Sequence, residues 1–216
     1  MYARRLKALS ASLLWCTLAF GATPFPDPAY DAPKAATKGK ETAVLAGGCF
    51  WGVEAVFEHL KGVKDVVSGF AGGEKDTAHY EEVSTGRTGH AESVKITYNP
   101  AQITYGELLK VYFAIAHDPT ELNYQGPDHG TQYRSAIFYA NEEQKKIATD
   151  YIKQLEAAGV FSHPIVTQVV PLKGFYAAES YHQHYLQNNM TDPYIVYNDL
   201  PKLAALKKQY PEMCRR

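Results

Sequence analysis

The chain offers two kinds of side chain that could do redox or acid–base chemistry together: cysteines at 49 and 214 and a glutamate at 92. Cys49 stands in Gly47-Gly48-Cys49-Phe50-Trp51-Gly52, after a short apolar run over residues 42–46. Beyond it Val53, Val56, Phe57 and Leu60 recur at i, i+3, i+4 and i+7, with Glu54 and Glu58 on the other face and Gly62 as a stop. The change of period predicts a buried strand, a tight turn and an amphipathic helix, which puts Cys49 at a helix N-terminus. Unpaired N–H groups and the helix macrodipole there favour a thiolate over a thiol. Phe50 and Trp51 either line a pocket or pack down on the core. The bland alternative, a cysteine serving as a small buried hydrophobe, stays open on these local features.

Glu92 alternates with Val94, Ile96 and Tyr98 against Ser93, Lys95, Thr97 and Asn99, the period-2 pattern of a half-buried strand. Its carboxyl is therefore expected on the core face. An unpaired carboxyl in apolar surroundings has a raised pKa and can donate a proton near neutrality. The competing reading is a strand-end residue that escapes into solvent. His182 and His184, at i and i+2, do not share a helical face, so they are expected to pack beneath the site and to bind no metal. His90 and His129 are expected to bond loop backbone.

These residues need a scaffold. Further strands are predicted over residues 63–70, 135–140 and 164–171. Helices are predicted from Thr104-Tyr105-Gly106-Glu107, a capping box, through Ile115; after Asn141; over 178–188; and over 201–209. Residues 76–89 and 117–132 read as loops. Strands alternate with helices, so the class is α/β or α+β with one mixed sheet. Alternation alone does not set strand order.

The blocks around the candidate residues resemble one family. Gly47-Gly48-Cys49-Phe50-Trp51-Gly52 with Glu54, Tyr80-Glu81-Glu82-Val83, Gly86 through Glu92, Asp128 through Ser135, and Tyr181 through Leu186 stand in the order found in the A-type methionine sulfoxide reductases. That resemblance implies a ferredoxin-like two-layer mixed sheet with flanking helices and long loops in a single domain. It also implies reduction of the S epimer of methionine sulfoxide. Cys49 would attack the sulfoxide sulfur, Glu92 would protonate its oxygen, and Tyr80 and Tyr133 would hydrogen-bond that oxygen. Asp128 would contact substrate backbone or support a tyrosine or a water. Phe50 and Trp51 would hold the methyl group, since exchanging methyl and oxygen would bury a polar atom against aromatics. The product on Cys49 would be a sulfenic acid.

Recycling is less determined. In many members a tail cysteine attacks the sulfenic acid and thioredoxin reduces the resulting disulfide. Cys214, third from the end and in a region expected to be free to move, is the candidate resolving cysteine. The alternative is direct reduction of Cys49 by an external thiol. No bound cofactor is expected, only a thioredoxin-like dithiol as reductant.

The N-terminus bears on where this happens. Arg4, Arg5 and Lys7 precede a mostly apolar run to Phe20, with Ala19-Phe20-Gly21 as a small-x-small site. Residues 1–21 read as a secretory signal, with a retained anchor as the competing reading. Residues 22–41, broken by Pro24, Pro26, Pro28 and Pro33, read as a flexible linker. Residues 42–216 read as the catalytic domain, a secreted or periplasmic monomer without stable membrane association. The net charge of −1 comes with no basic stripe, so nucleic acid is a poor partner. Two other readings compete: a cysteine hydrolase with His129 or His182 as base, and a secreted binding domain stapled by a Cys49–Cys214 disulfide.

Overall fold

A computed structural model describes residues 25–215, so the expected export segment lies outside the described residues. In chain order the main elements are β1 (Glu41–Ala46), α1 (Phe50–Glu58), β2 (Val63–Ala71), a short α2 (Tyr80–Val83), β3 (Ala91–Tyr98) and α3 (Tyr105–Val111). The small strands β4 (Tyr124–Gln125) and β5 (Asp128–His129) follow, then β6 (Ala136–Tyr139), α4 (Glu142–Ala157), β7 (Gln168–Pro171), β8 (Phe175–Ala177), α5 (Tyr185–Asn188) and α6 (Leu200–Gln209). The predicted caps are made. Thr104 Oγ1 accepts from the Glu107 amide at 3.1 Å while Glu107 accepts from the Thr104 amide at 2.8 Å, and Asn141 accepts from the Gln144 amide at 2.9 Å. Each cap contributes about 1 kcal/mol by satisfying an otherwise unpaired amide.

Six strands form one sheet in the order β7-β6-β1-β3-β2-β8, with a separate β4–β5 hairpin. The central β6-β1-β3-β2 run is antiparallel throughout. With α1 between β1 and β2 and α3 between β3 and β6, it has the ferredoxin-like connectivity. β8 extends one edge antiparallel and β7 the other in parallel, which makes the sheet mixed. Alternation sorts the faces. Ala43, Leu45, Val94 and Ile96 join the main core with Val56, Phe57 and Leu108, while Val44, Ala46, Ala71, Ala91, Ala136 and Phe138 form a smaller cluster. The fold is thus a single α+β domain.

Four local expectations change. Residues 25–40 have no strand or helix, as a linker should, but they are docked. Tyr151 donates to the Pro26 carbonyl at 2.6 Å, Gln154 brackets Asp27 and Ala29, and the Asp31 carboxylate accepts from Thr104 Oγ1 and from the Gly106 amide at the N-terminus of α3. Prolines that forbid helix do not forbid anchoring. The expected loop 76–89 contains α2, which carries Tyr80. The expected strand over 164–171 is ordered into the ladder only at β7, and β8 follows it. The expected helix over 178–188 breaks. His184 adopts φ 54°, and the Gln183 side chain turns away to bond both backbone groups of Ser68 and the Ala178 carbonyl.

Helix α1 also differs from its amphipathic reading. Glu54 is buried, because α1 has the sheet on one side and α5 and α6 on the other. Its Oε2 accepts the His184 amide at 2.9 Å, and burial raises its pKa to about 7.

Candidate active site

Cys49 is the N-cap residue of α1, as the period change predicts. The turn that delivers it needs glycine. Gly48 has φ 86°, and a side chain there would strike Gln125. Glu92, buried on β3, sends Oε2 to the Phe50 amide at 3.1 Å, the first amide of the same helix. Sheet and helix thus bring the candidate acid beside the candidate nucleophile, and the core-face reading of Glu92 stands over the solvent-escape one.

Their protonation differs in part from expectation. Burial raises the Glu92 pKa to about 8, against the Phe50 amide, which favours the charged form. The acid is therefore largely neutral at pH 7, as argued from its position. For Cys49, burial pushes the thiol well above its ordinary value, and Glu92, Asp199 and Asp128 add repulsion. The Trp51 amide favours the thiolate but makes no full hydrogen bond to sulfur. The resting residue is thus a thiol, not the thiolate that the helix N-terminus alone predicts: desolvation and carboxylates outweigh a partial positive charge.

The remaining predicted residues gather here. Tyr80 opens α2, its amide held by Glu179 at 3.1 Å and its ring 4.3 Å from that of His182. Tyr133 ends a 3₁₀ turn clamped to the preceding loop: Thr131 Oγ1 donates to the Gly86 carbonyl, Gln132 to that of Ser84, and Arg134 to those of Gly89 and His90. Burial and then Glu92 raise the pKa of both phenols, and each also feels Cys49. Both hydroxyls therefore keep their protons and can donate.

Phe50 is fully buried against Phe70 and His182. Trp51 is half-buried, stacked on Tyr185 at 3.7 Å and 10° with its edge toward Tyr194, and its indole N–H donates to His182 Nδ1 at 3.1 Å. His182 therefore packs beneath the aromatic wall as expected, which commits that imidazole to Trp51. His129 stacks on Tyr124 instead of bonding loop backbone. His184 lies apart from His182, bonded to Glu58 at 2.5 Å and clustered with Glu54.

A cavity of about 110 Å³ opens at the sulfur, lined by Cys49, Gln125, Gly126, Pro127, Asp128, Tyr194, Asn198 and Lys202. Asp128 accepts the Tyr194 hydroxyl, so it supports a tyrosine, one of the roles foreseen for it. Tyr194, Asn198, Asp199 and Lys202 were not singled out in the sequence. They reach the site through a π-helical turn (Ile195–Asp199) and α6, and their only local signal was the helix pattern that follows them. A larger hollow of about 310 Å³, beside Phe161, His163 and Ile165, borders none of the candidate residues.

Cys214 is not brought to Cys49. It pairs with Leu60 in a β-bridge beyond the opposite end of α1, and its thiol donates to the Tyr210 carbonyl at 3.4 Å. Lys61 and Arg215 backbone bonds and the Arg215 side chain hold the segment down, so the expectation of a free tail fails. Cys49 and Cys214 are free thiols, which removes the stapled-domain reading.

The family model for peptide methionine sulfoxide reductase matches residues 41–213. The chain is 61% identical over 178 residues to a peptide methionine sulfoxide reductase MsrA 2 of Mesorhizobium japonicum, covering 82% of this chain and 91% of that one. It is 52% identical to an MsrA 2 of Synechocystis, over 87% and 88% of the two chains. Among solved structures it is similar to methionine sulfoxide reductase A of Corynebacterium diphtheriae, with TM-score 0.60 and 39% identity over 79% and 86% of the chains. It is also similar to reduced Mxr1 of Saccharomyces cerevisiae, with TM-score 0.63 and 36% identity over 72% and 92%. With the family model matched from β1 to the C-terminal segment and relatives more than half identical over most of their length, the chain belongs to the peptide methionine sulfoxide reductase family of oxidoreductases.

Proposed function

We propose that this chain reduces the S epimer of methionine sulfoxide, in proteins and as the free amino acid, with Cys49 as nucleophile and Glu92 as acid. One observation carries the reading: the Glu92 carboxyl, largely neutral at pH 7, hangs from the first amide of the helix that Cys49 caps. A neutral acid does two things. It spares a forming thiolate the repulsion that its carboxylate would add, and it can hand its proton to the sulfoxide oxygen as the Cys49 sulfur attacks the substrate sulfur. Tyr80 and Tyr133 keep their protons and serve as donors to the same oxygen. Phe50 and Trp51 exclude water around the methyl group. Asp128, with Tyr194, braces the opposite side of the cavity. Thiol and sulfoxide yield thioether and sulfenic acid: attack forms a bond between the Cys49 and substrate sulfurs, the substrate S–O bond breaks, and the sulfur–sulfur bond opens as an oxygen passes to Cys49, so that the substrate sulfur is reduced and the Cys49 sulfur oxidised.

A second thiol then condenses with the sulfenic acid, releasing water and leaving a disulfide. For this chain the reductant is a thioredoxin-like dithiol. Cys214 acts as resolving thiol only after residues 211–215 leave their place beside Leu60. The basic, apolar N-terminus supports export, which would make the task repair of oxidised secreted or periplasmic proteins by a monomer. The test is reduction of separated S and R epimers of an N-blocked methionine sulfoxide with dithiothreitol. Turnover of the S epimer alone is expected. Inertness toward both, with Cys49 titrating as a free thiol, would overturn the reading.

A further inference from the structure

Asp199 and Lys202 form a buried ion pair against the first turn of α1. Asp199 is wholly buried, and its Oδ1 meets Lys202 Nζ at 3.1 Å. Its Oδ2 has no hydrogen-bond partner among the described residues. A buried carboxylate with one oxygen unpaired is costly, and such a group has a standing tendency to take a proton. The pair rests on Gly52, three residues after Cys49. A methyl group there would overlap Asp199 Oδ1 and sit 3.0 Å from Lys202 Nζ, so glycine at 52 is what lets the pair approach the helix. Lys202 also borders the cavity at the sulfur and is the only cationic side chain in its wall among the described residues.

The other ionisable groups felt by Cys49 are acids or phenols. Glu92 comes from β3, Asp128 from β5, Asp199 from the π-helical turn, Tyr80 from α2, Tyr133 from the 3₁₀ turn, Tyr185 from α5 and Tyr194 from the segment after it. His117, beside Gly47, is bonded to Ser135 and held neutral by burial, with a pKa of about 3. Beside the Trp51 amide, Lys202 is the one charged group of this shell, among the described residues, that can offset a negative sulfur.

We infer that Asp199–Lys202 is a charge reserve for the nucleophile: while Asp199 is ionised the pair is neutral, and once Asp199 takes a proton the Lys202 ammonium becomes the counter-ion of the Cys49 thiolate. The exchange conserves charge. A thiol with a carboxylate–ammonium pair becomes a thiolate–ammonium pair with a carboxylic acid, the proton moving from sulfur to Asp199 through the site. Burial acts in the direction required, since it raises the Asp199 pKa against the pull of Lys202. Asp199 and Lys202 are positioning residues here. The inference rests on Cys49 being the nucleophile and deepens that reading.

The test compares the alkylation rate of Cys49, followed by peptide mass spectrometry so that Cys214 does not contribute. Asp199→Asn imitates the protonated state, and Asp199→Asn/Lys202→Met removes the ammonium as well. At a fixed pH where wild-type Cys49 is mostly thiol, Asn alone should speed alkylation by about tenfold, the size of one unmasked and partly screened charge in the same cavity. The double variant should lose most of that gain, and Asp199→Asn/Lys202→Arg should keep it. Simple loosening of the packing would speed both the Asn and the Asn/Met proteins alike, and that result, or no acceleration by Asn, overturns the inference. Cys49 failing to reduce methionine sulfoxide in wild-type protein would instead sink the parent reading, and alkylation reports independently of it.

Discussion

The two ends of α1 each hold a free cysteine, 7% exposed at Cys49 and 8% at Cys214, yet they are chemically unlike. At the N-terminal end the sulfur borders a polar cavity, with an uncharged acid, four phenols and an ion pair around it. At the C-terminal end the thiol is spent on a backbone carbonyl, within a short segment stitched to Leu60, Lys61 and His59. Roughly 15 Å of helix separates them by the α-helical rise. Burial alone therefore does not mark a reactive cysteine. What marks it is burial against groups that can exchange a proton, and the carboxyl of Glu92 is the nearest such group in kind.

The largest break of this contrast is Cys49→Ser. Turnover should vanish while the thermal midpoint stays close to wild type; retained turnover would move the chemistry elsewhere. Next is Glu92→Gln, expected to slow the first turnover by about 10²–10⁴-fold, the usual range for a lost general acid. The wild-type rate should fall as pH rises through about 8, where Glu92 gives up its proton, and the Gln protein should lack that limb. The stability sign follows. A carboxyl whose folded pKa lies above its unfolded value costs nothing at low pH, where it is protonated in both states. It destabilises progressively as pH climbs toward its folded pKa. Glu92→Gln should accordingly raise Tm near pH 8 and leave it unchanged near pH 4, measured by calorimetry.

Cys214→Ser should spare a single stoichiometric turnover in a rapid-quench experiment and slow only repeated turnover with a dithiol reductant. Loss of that first turnover would make Cys214 more than a resolving thiol. The smallest effect is expected from Arg215→Ala. It removes the side-chain bonds to the Leu60 and Val63 carbonyls and should cost about 0.5–1.5 kcal/mol. If Cys214 resolves the sulfenic acid, the loosened segment should form the Cys49–Cys214 disulfide faster, seen as earlier loss of both thiols after one equivalent of substrate.

Local patterns carried much of this. Alternation over residues 92–98 found the core face of β3 and with it Glu92, and the period change at Gly47-Gly48 found the cap position of Cys49. The capping box at Thr104 formed as written. What local pattern could not show was long-range. The proton affinity of Cys49 is raised by burial first, then by Glu92 and by Asp199, far along the chain, and these outweigh the helix end beneath it. The break at His184 comes from Gln183 reaching across to Ser68, a partner invisible to helical periodicity. Asp31 looked like linker because the α3 N-terminus that receives it lies more than 70 residues later.

That spread of parents has a consequence for the life of the chain before it is folded. The cavity at the sulfur draws on residues from 49 to 202, and β1 pairs with β6 across some 90 residues, so the site is a product of high contact order. Such contacts close late, since loop entropy must be spent before they return anything. Until then Cys49 is an ordinary thiol, open to any oxidant or disulfide it meets. Completion of the fold is thus what quiets this cysteine. Whatever interval the chain spends unfolded is the interval in which this thiol is most exposed to oxidation.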